Sequence, residues 1–246
     1  MPLTPTTPAV VGAAQIGYQN LLETAEDLEM LTPDTWQRWR PSVADDTLLS
    51  LGGPTECDYI GIAAHTLTGV EVIVKTSATL GGALTTRSTT TPTDNRPIII
   101  ALADLTIADV QILVDGACEI GVVYAGNLME MERPIYGGHS PNDLNPTAVY
   151  QSNMSESGQF LGRQIIRKGG DTQFNWRNLT AAWVRSTFDT FIESALTKPF
   201  FIQWRPDSYA SEISFAHTTG QIALTNQGGS TELMSASMKV RAHSDI

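Results

Sequence analysis

Lys198-Pro-Phe-Phe-Ile-Gln-Trp-Arg-Pro206 constrains this chain more than any other stretch. Pro199 removes a backbone donor and fixes φ, so a helix entering from the N-terminal side ends there, and Pro206 closes the segment in the same way. The residues between are aromatic and β-branched, which suits a strand, and so much aromatic surface needs a broad apolar partner. That partner is predicted just upstream. Val184, Phe188, Phe191, Ile192 and Ala195 recur at helical spacing, with Thr180 placed to cap the run, Leu196 near its end and Arg185 four residues before Asp189. A helix over about 180–197 followed by a buried strand is therefore expected.

Strand signals dominate elsewhere. Val70, Val72 and Val74 alternate with Glu71, Ile73 and Lys75, and Cys57–Ala64, Pro97–Leu102, Asp109–Val114 and Glu119–Tyr124 are β-rich runs. Leu105–Ala108 is read as a brief join, Asp115-Gly116 as a turn, and Thr76–Asn95 as loops around a weak strand. Strands at this spacing, without long helices between them, predict a jelly-roll β-sandwich over residues 1–126. A Gly/Pro/Asn-rich segment from Pro134 to Pro146 places a boundary near Asn127. Residues 127–246 then read as a second antiparallel β domain carrying the one helix. Its strands are Gly162–Lys168 and Thr172–Trp176 around a Lys168-Gly-Gly-Asp171 turn, Glu212–Ala216, Gln221–Thr225 and Leu233–Ala242. In the last of these Met234, Ala236, Met238 and Val240 alternate with Ser235, Ser237, Lys239 and Arg241, the mark of a sheet with one wet face. The fold class is mainly β.

Composition excludes several functions. The net charge of −11, with arginines scattered rather than clustered, argues against nucleic acid, which demands grouped Lys and Arg. No run approaches the ~18 apolar residues of a membrane span, and Met1–Pro8 lacks the basic start of a signal peptide. Cys57 and Cys118 are too distant for a local metal motif and read as buried thiols, with a bridge open if their strands are neighbours.

Catalytic patterns are lacking. His65, His139, His217 and His243 stand at no zinc-ligand spacing. Met154-Ser-Glu-Ser-Gly lacks the first glycine of a serine-nucleophile elbow, and Gly81-Gly82 and Gly228-Gly229 lack the lysine of a phosphate loop. Asp45-Asp46 and Glu130/Glu132 read as solvated carboxylates, with a calcium ion at Asp45-Asp46 requiring ligands from other loops. No enzyme activity and no cofactor are expected. Trp36 and Trp39, three residues apart, share a face if helical, either as a core plug or, with Tyr59 and His65, as a stacking platform for a sugar.

Met129-Glu-Met-Glu-Arg-Pro-Ile-Tyr-Gly-Gly-His-Ser-Pro141, Ser155-Glu-Ser-Gly-Gln-Phe-Leu-Gly-Arg163, the aromatic helix and Lys198–Pro206, in this order, resemble tail proteins of long-tailed bacteriophages, of the distal-tail or baseplate class. Trp36-Gln-Arg-Trp-Arg-Pro41 and Asp58–His65 resemble the discoidin or galactose-binding-like jelly roll often attached to them. The resemblance implies a structural virion component, made in the host cytoplasm and built into the tail. Its expected partners are copies of itself in a hexameric or trimeric ring and the tail tube, tape-measure and hub proteins. A glycan on the host surface is the alternative partner. Arg133, Tyr136, His139, Trp204 and Arg205 are the interface candidates, by residue type and loop position. The alternative function is a carbohydrate-binding module using Trp36, Trp39, Tyr59 and His65.

Overall fold

A computed structural model describes residues 11–26, 28–139, 147–228 and 232–243. The strands pair antiparallel throughout, and the only α-helical turns among the described residues lie at Ala181–Ala195. Mainly β architecture with one helical segment in the second half is what the alternation and the single helical stripe require.

In the N-terminal half, β3 (Asp45–His65) and β6 (Ile98–Val114) form the long central pair. β4 (Val72–Ser77) and β5 (Thr85–Thr90) continue outward from β6, β7 (Ile120–Glu130) flanks β3 on its other side, and β2 (Thr24–Ala25) pairs with β3. The sequence suggests shorter strands, because β3 and β6 break their alternation at bulges between Ser50 and Thr55 and between Cys57 and Tyr59. Bulges bend a strand without ending it. Leu49 and Ile62, from the two ends of β3, accordingly reach one core with Val74, Ile112 and Val123, and the sheet closes as a β-sandwich. Asp45-Asp46, read as loop, begins β3.

The second half is built on β9 (Phe160–Thr180), β10 (Phe200–Gln203), β11 (Ile213–Thr218), β12 (Ala223–Asn226) and β13 (Leu233–Ala242). β13 keeps the expected alternation, with Ala236, Met238, Val240 and Ala242 buried. The helix runs Ala181–Trp183 as α, Val184–Phe188 as a π turn and Asp189–Ala195 as α. Thr180 caps it by accepting from the Trp183 N–H at 3.3 Å, and both Thr180 N–H and Oγ1–H donate to the Glu132 carboxylate at 2.6 and 2.9 Å. Val184, Phe188, Phe191 and Ala195 are buried against Tyr18, Trp176 and Phe200. Arg185 donates to the Ala181 carbonyl rather than reaching Asp189.

Residues 126 and 127 lie within β7, so the expected division falls inside a strand. The short β1 (Gln15–Tyr18), unforeseen in the sequence, lies between β7 and β10 and carries one sheet through both halves. A third core of Tyr59, Tyr124, Phe201 and Phe215 spans that seam. Two glycines admit its rings. A Cβ at Gly17 would stand 2.6 Å from the Tyr59 ring, and one at Gly61 would stand 2.7 Å from the Phe201 ring.

Lys168-Gly-Gly-Asp171 is not a turn. β9 passes straight through it, and the hairpin partner of its first half is β8 (Thr147–Met154). Turn chemistry in the sequence is overridden here because both glycines fit an extended strand where it leaves the body.

Candidate assembly surface

From Tyr150 to Ile165, β8, its turn and the start of β9 form an arm with no buried residue. The turn closes with Ser155 N–H donating to the Gln159 carbonyl and Gly158 N–H to the Ser155 carbonyl. At ~3.3 Å per residue the ribbon spans about 25 Å. It is rooted rigidly, since from Gly170 to Thr180 the same β9 strand pairs with β13 in the body.

Register sorts the side chains of the arm. Tyr150 faces Ile165, Ser152 faces Arg163, and Met154 faces Phe160 beyond a bulge, which places these pairs on one side of the ribbon. Gln151 with Gln164, and Asn153 with Gly162, occupy the other. That side carries two apolar pairs flanking the Ser152–Arg163 hydrogen bond and the other side is polar, yet Tyr150, Met154, Phe160, Leu161 and Ile165 are 47% to 66% exposed. Arg163 lies 4.5 Å over the Tyr150 ring and covers only that end. A two-stranded ribbon with an open apolar face is not a stable end state in water.

The interface candidates gather partly. His139 packs 4.8 Å from Trp204 and 5.4 Å from Phe174 (ring centroids), and its Nε2 is buried without a hydrogen-bond partner among the described residues. Desolvation first, and then the Arg205 charge, lower its pKa, against the pull of Glu212. Trp204 stacks on Tyr209 at 5.4 Å, donates Nε1–H to Glu212, and carries Arg205 over its ring. Tyr136 lies next to this cluster on β9, its N–H bound to the Asn175 carbonyl and its ring 4.0 Å under Arg177. Together with Thr225, Ser235 and Ser237 this pair borders a groove of about 360 Å³ on the outer face of β9, β13 and β12. Arg133 is exposed beyond β7. Positions 140–146 of the Pro134–Pro146 segment lie outside the described residues.

The sugar-platform residues do not converge. Trp36 is 84% exposed, its N–H held by Asp34 Oδ1 at 2.8 Å, whereas Trp39, Tyr59 and His65 are buried. Trp39 bridges to Ile120 by backbone, and Tyr59 lies in the seam core. His65 is fixed by the Arg96 carbonyl at 2.7 Å from Nε2, with Nδ1 accepting from Leu67 N–H. A ligand cannot stack on these three, so the platform reduces to Trp36. Burial raises both thiols, Cys57 to about 12 and Cys118 to about 11, and both are free. Among the described residues no three His, Cys, Asp or Glu side chains come together as a metal-holding group.

The sequence reading missed Tyr209, Arg177 and the arm's apolar pairs. The signal for the arm was the alternation of Tyr150, Ser152 and Met154, concealed by an uncharged polar background.

No protein-family model and no curated protein matches the chain. Among solved structures, chitosan-binding module 1 of a chitosanase/glucanase from Paenibacillus sp. IK-5 aligns at TM-score 0.40 and 16% identity, over 45% of this chain and 100% of that one. Module 2 of the same enzyme, in complex with chitotriose, aligns at 0.37 and 12%, over 48% and 98%. CBM32-1 from a family 31 glycoside hydrolase of Clostridium perfringens aligns at 0.35 and 6%, over 46% and 94%. These are carbohydrate-binding modules. Scores at this level leave the likeness at a shared β-rich texture, and no residue role passes to this chain.

Proposed function

We propose that this protein is a structural subunit, with no catalytic step of its own, that assembles with further copies through its β8–β9 arm. The observation that carries this reading is the arm's exposed apolar pairs, which no other described residue of the chain covers. The tail-like sequence blocks supply the setting: a ring at the distal end of a long-tailed phage, contacting tube, tape-measure and hub proteins. In that setting the chain is made in the host cytoplasm and ends in the virion. Electron microscopy of the purified protein is expected to show closed rings, and peptides of the chain are expected in particles from cells expressing the whole gene cluster. Dispersed monomers, or particles without the chain, contradict the proposal.

A second reading rests on Trp36, an indole displayed to solvent by an Asp34-capped turn. Exposed tryptophans stack on sugar faces, so a glycan contact on the N-terminal half is its natural use. Binding to a glycan array that includes chitotriose, abolished in Trp36→Ala with unchanged melting, supports it. Binding that survives the substitution refutes a role for Trp36.

A further inference from the structure

Sheet edges differ in how they are defended. Natural edges carry charge or proline that discourages pairing with another chain. The outer edge of β5 follows this rule with Arg87 at its middle. β8, Thr-Ala-Val-Tyr-Gln-Ser-Asn-Met, contains no charged residue, proline or glycine, and neither does β12, Ala-Leu-Thr-Asn. Among the described strands β8 pairs only with β9 and β12 only with β13, so each leaves one edge open.

The core beneath the β12 edge is unfinished. Leu224 lies opposite Ala236, and Asn226 opposite Met234, so Leu224 and Met234 point to the helix-side core. Both, together with Ile222, are only partly buried there. An apolar strand laid beside β12 would complete that core, and the arm is an apolar-faced ribbon whose outermost strand is β8. The arm itself, residues 150–165, balances Arg163 against Glu156 and is neutral in a chain of −11, so it meets no like-charge repulsion from an acidic body of its own kind.

We infer that β8 of one copy pairs along the open edge of β12 in the next copy, with the arm's apolar face closing the core over Ile222, Leu224 and Met234. This rests on the assembly reading above and names its receiving site. Placing β8 next to β12 with the apolar face on the core side allows a single strand direction, so the contact has defined polarity. Arm and edge are different surfaces of one chain, making the contact heterologous; each copy gives one arm and receives one, the arrangement that builds a ring where the rotation between copies closes.

Complementation between two full-length variants tests it. Met154→Glu/Phe160→Glu spoils the arm and leaves the β12 edge, while Leu224→Lys puts a charge into the edge and leaves the arm. At a concentration where wild type assembles, each variant alone is expected at the chain mass of 26.6 kDa. Their mixture is expected to form a 1:1 dimer, because one sound arm meets one sound edge; a mixture that stays monomeric overturns the pairing. Leu224→Lys assembling like wild type also overturns the edge assignment but leaves the arm reading intact. Wild type that is itself monomeric, or an arm variant that still assembles, removes the assembly reading and the inference together. Hydrogen exchange covers the case of a variant that does not fold. The Leu224 and Asn226 amides, which point away from β13, should exchange at least about tenfold slower in assembled wild type than in the arm variant, and equal rates overturn the pairing.

Discussion

His139 is pressed between Phe174 and Trp204 with Arg205 nearby, and its neutral form is the one the fold accommodates. Its pKa in the folded chain lies below the ordinary value of 6.5. The unfolded chain therefore binds this proton at higher pH than the folded one does. The contribution is fully present above about 6.5 and is lost as pH falls through the folded pKa. Melting should drop between pH 7.5 and pH 5 by more in wild type than in His139→Gln, and equal drops would show that this ring does not titrate as described. The cysteines make a second residue-scale case. The thiolate is the reactive species, and Cys57 and Cys118 are buried with pKa values raised to about 12 and about 11. Ellman's reagent at pH 8 should find both thiols silent in the native protein and both reactive in guanidinium; rapid labelling of the native protein would place one of them at the surface.

At the scale of elements, the helix is held from both ends of its argument: a cap that starts it and a ring that anchors it. Thr180→Ala removes the Trp183 cap and the hydroxyl contact with Glu132, and should cost about 1 kcal/mol. Phe191 is fully buried, 5.1 Å from Phe200 and 5.6 Å from both Tyr18 and Phe188, so Phe191→Ala should cost about 3–5 kcal/mol in denaturant titration. A loss below about 1 kcal/mol would mean that the ring is not in the core. This helix and β13 were legible because their apolar residues recur at a local period that no distant contact overrides. β3 and β6 were legible only in pieces, since bulges shift the alternation mid-strand. The reach of Ser152–Gly158 from the body was expected, but the partner of Gly162–Lys168 was misread because Lys168-Gly-Gly-Asp171 carries the chemistry of a turn. Whether a glycine pair bends or runs straight is decided by the partner strand, here β8, and not by the pair itself.

For the whole molecule, β1 matters most and was hardest to foresee. Four residues near the N-terminus join β7 to β10, and their value lies entirely in long-range pairing. Tyr59, attractive as a surface group in the sequence, is buried for the same reason: it packs under Phe201 and Phe215 of a second half that local patterning does not reveal, whereas His65 is held inside the first half by Arg96 and Leu67. Gly61→Ala would force the Phe201 ring from the seam and should destabilise both halves together, by about 1–3 kcal/mol in a single transition. Two separate transitions would mean that the halves fold independently. With the two halves fused in one sheet, the arm is the large apolar feature left without a place inside the chain.

The most direct measurement is therefore the solution mass of the full chain by light scattering, beside that of Met154→Glu/Phe160→Glu. A discrete multiple of 26.6 kDa for wild type and a single folded chain for the variant is the expected result. A wild-type protein that stays monomeric at high concentration, with those aromatic and aliphatic side chains left in water, contradicts the account.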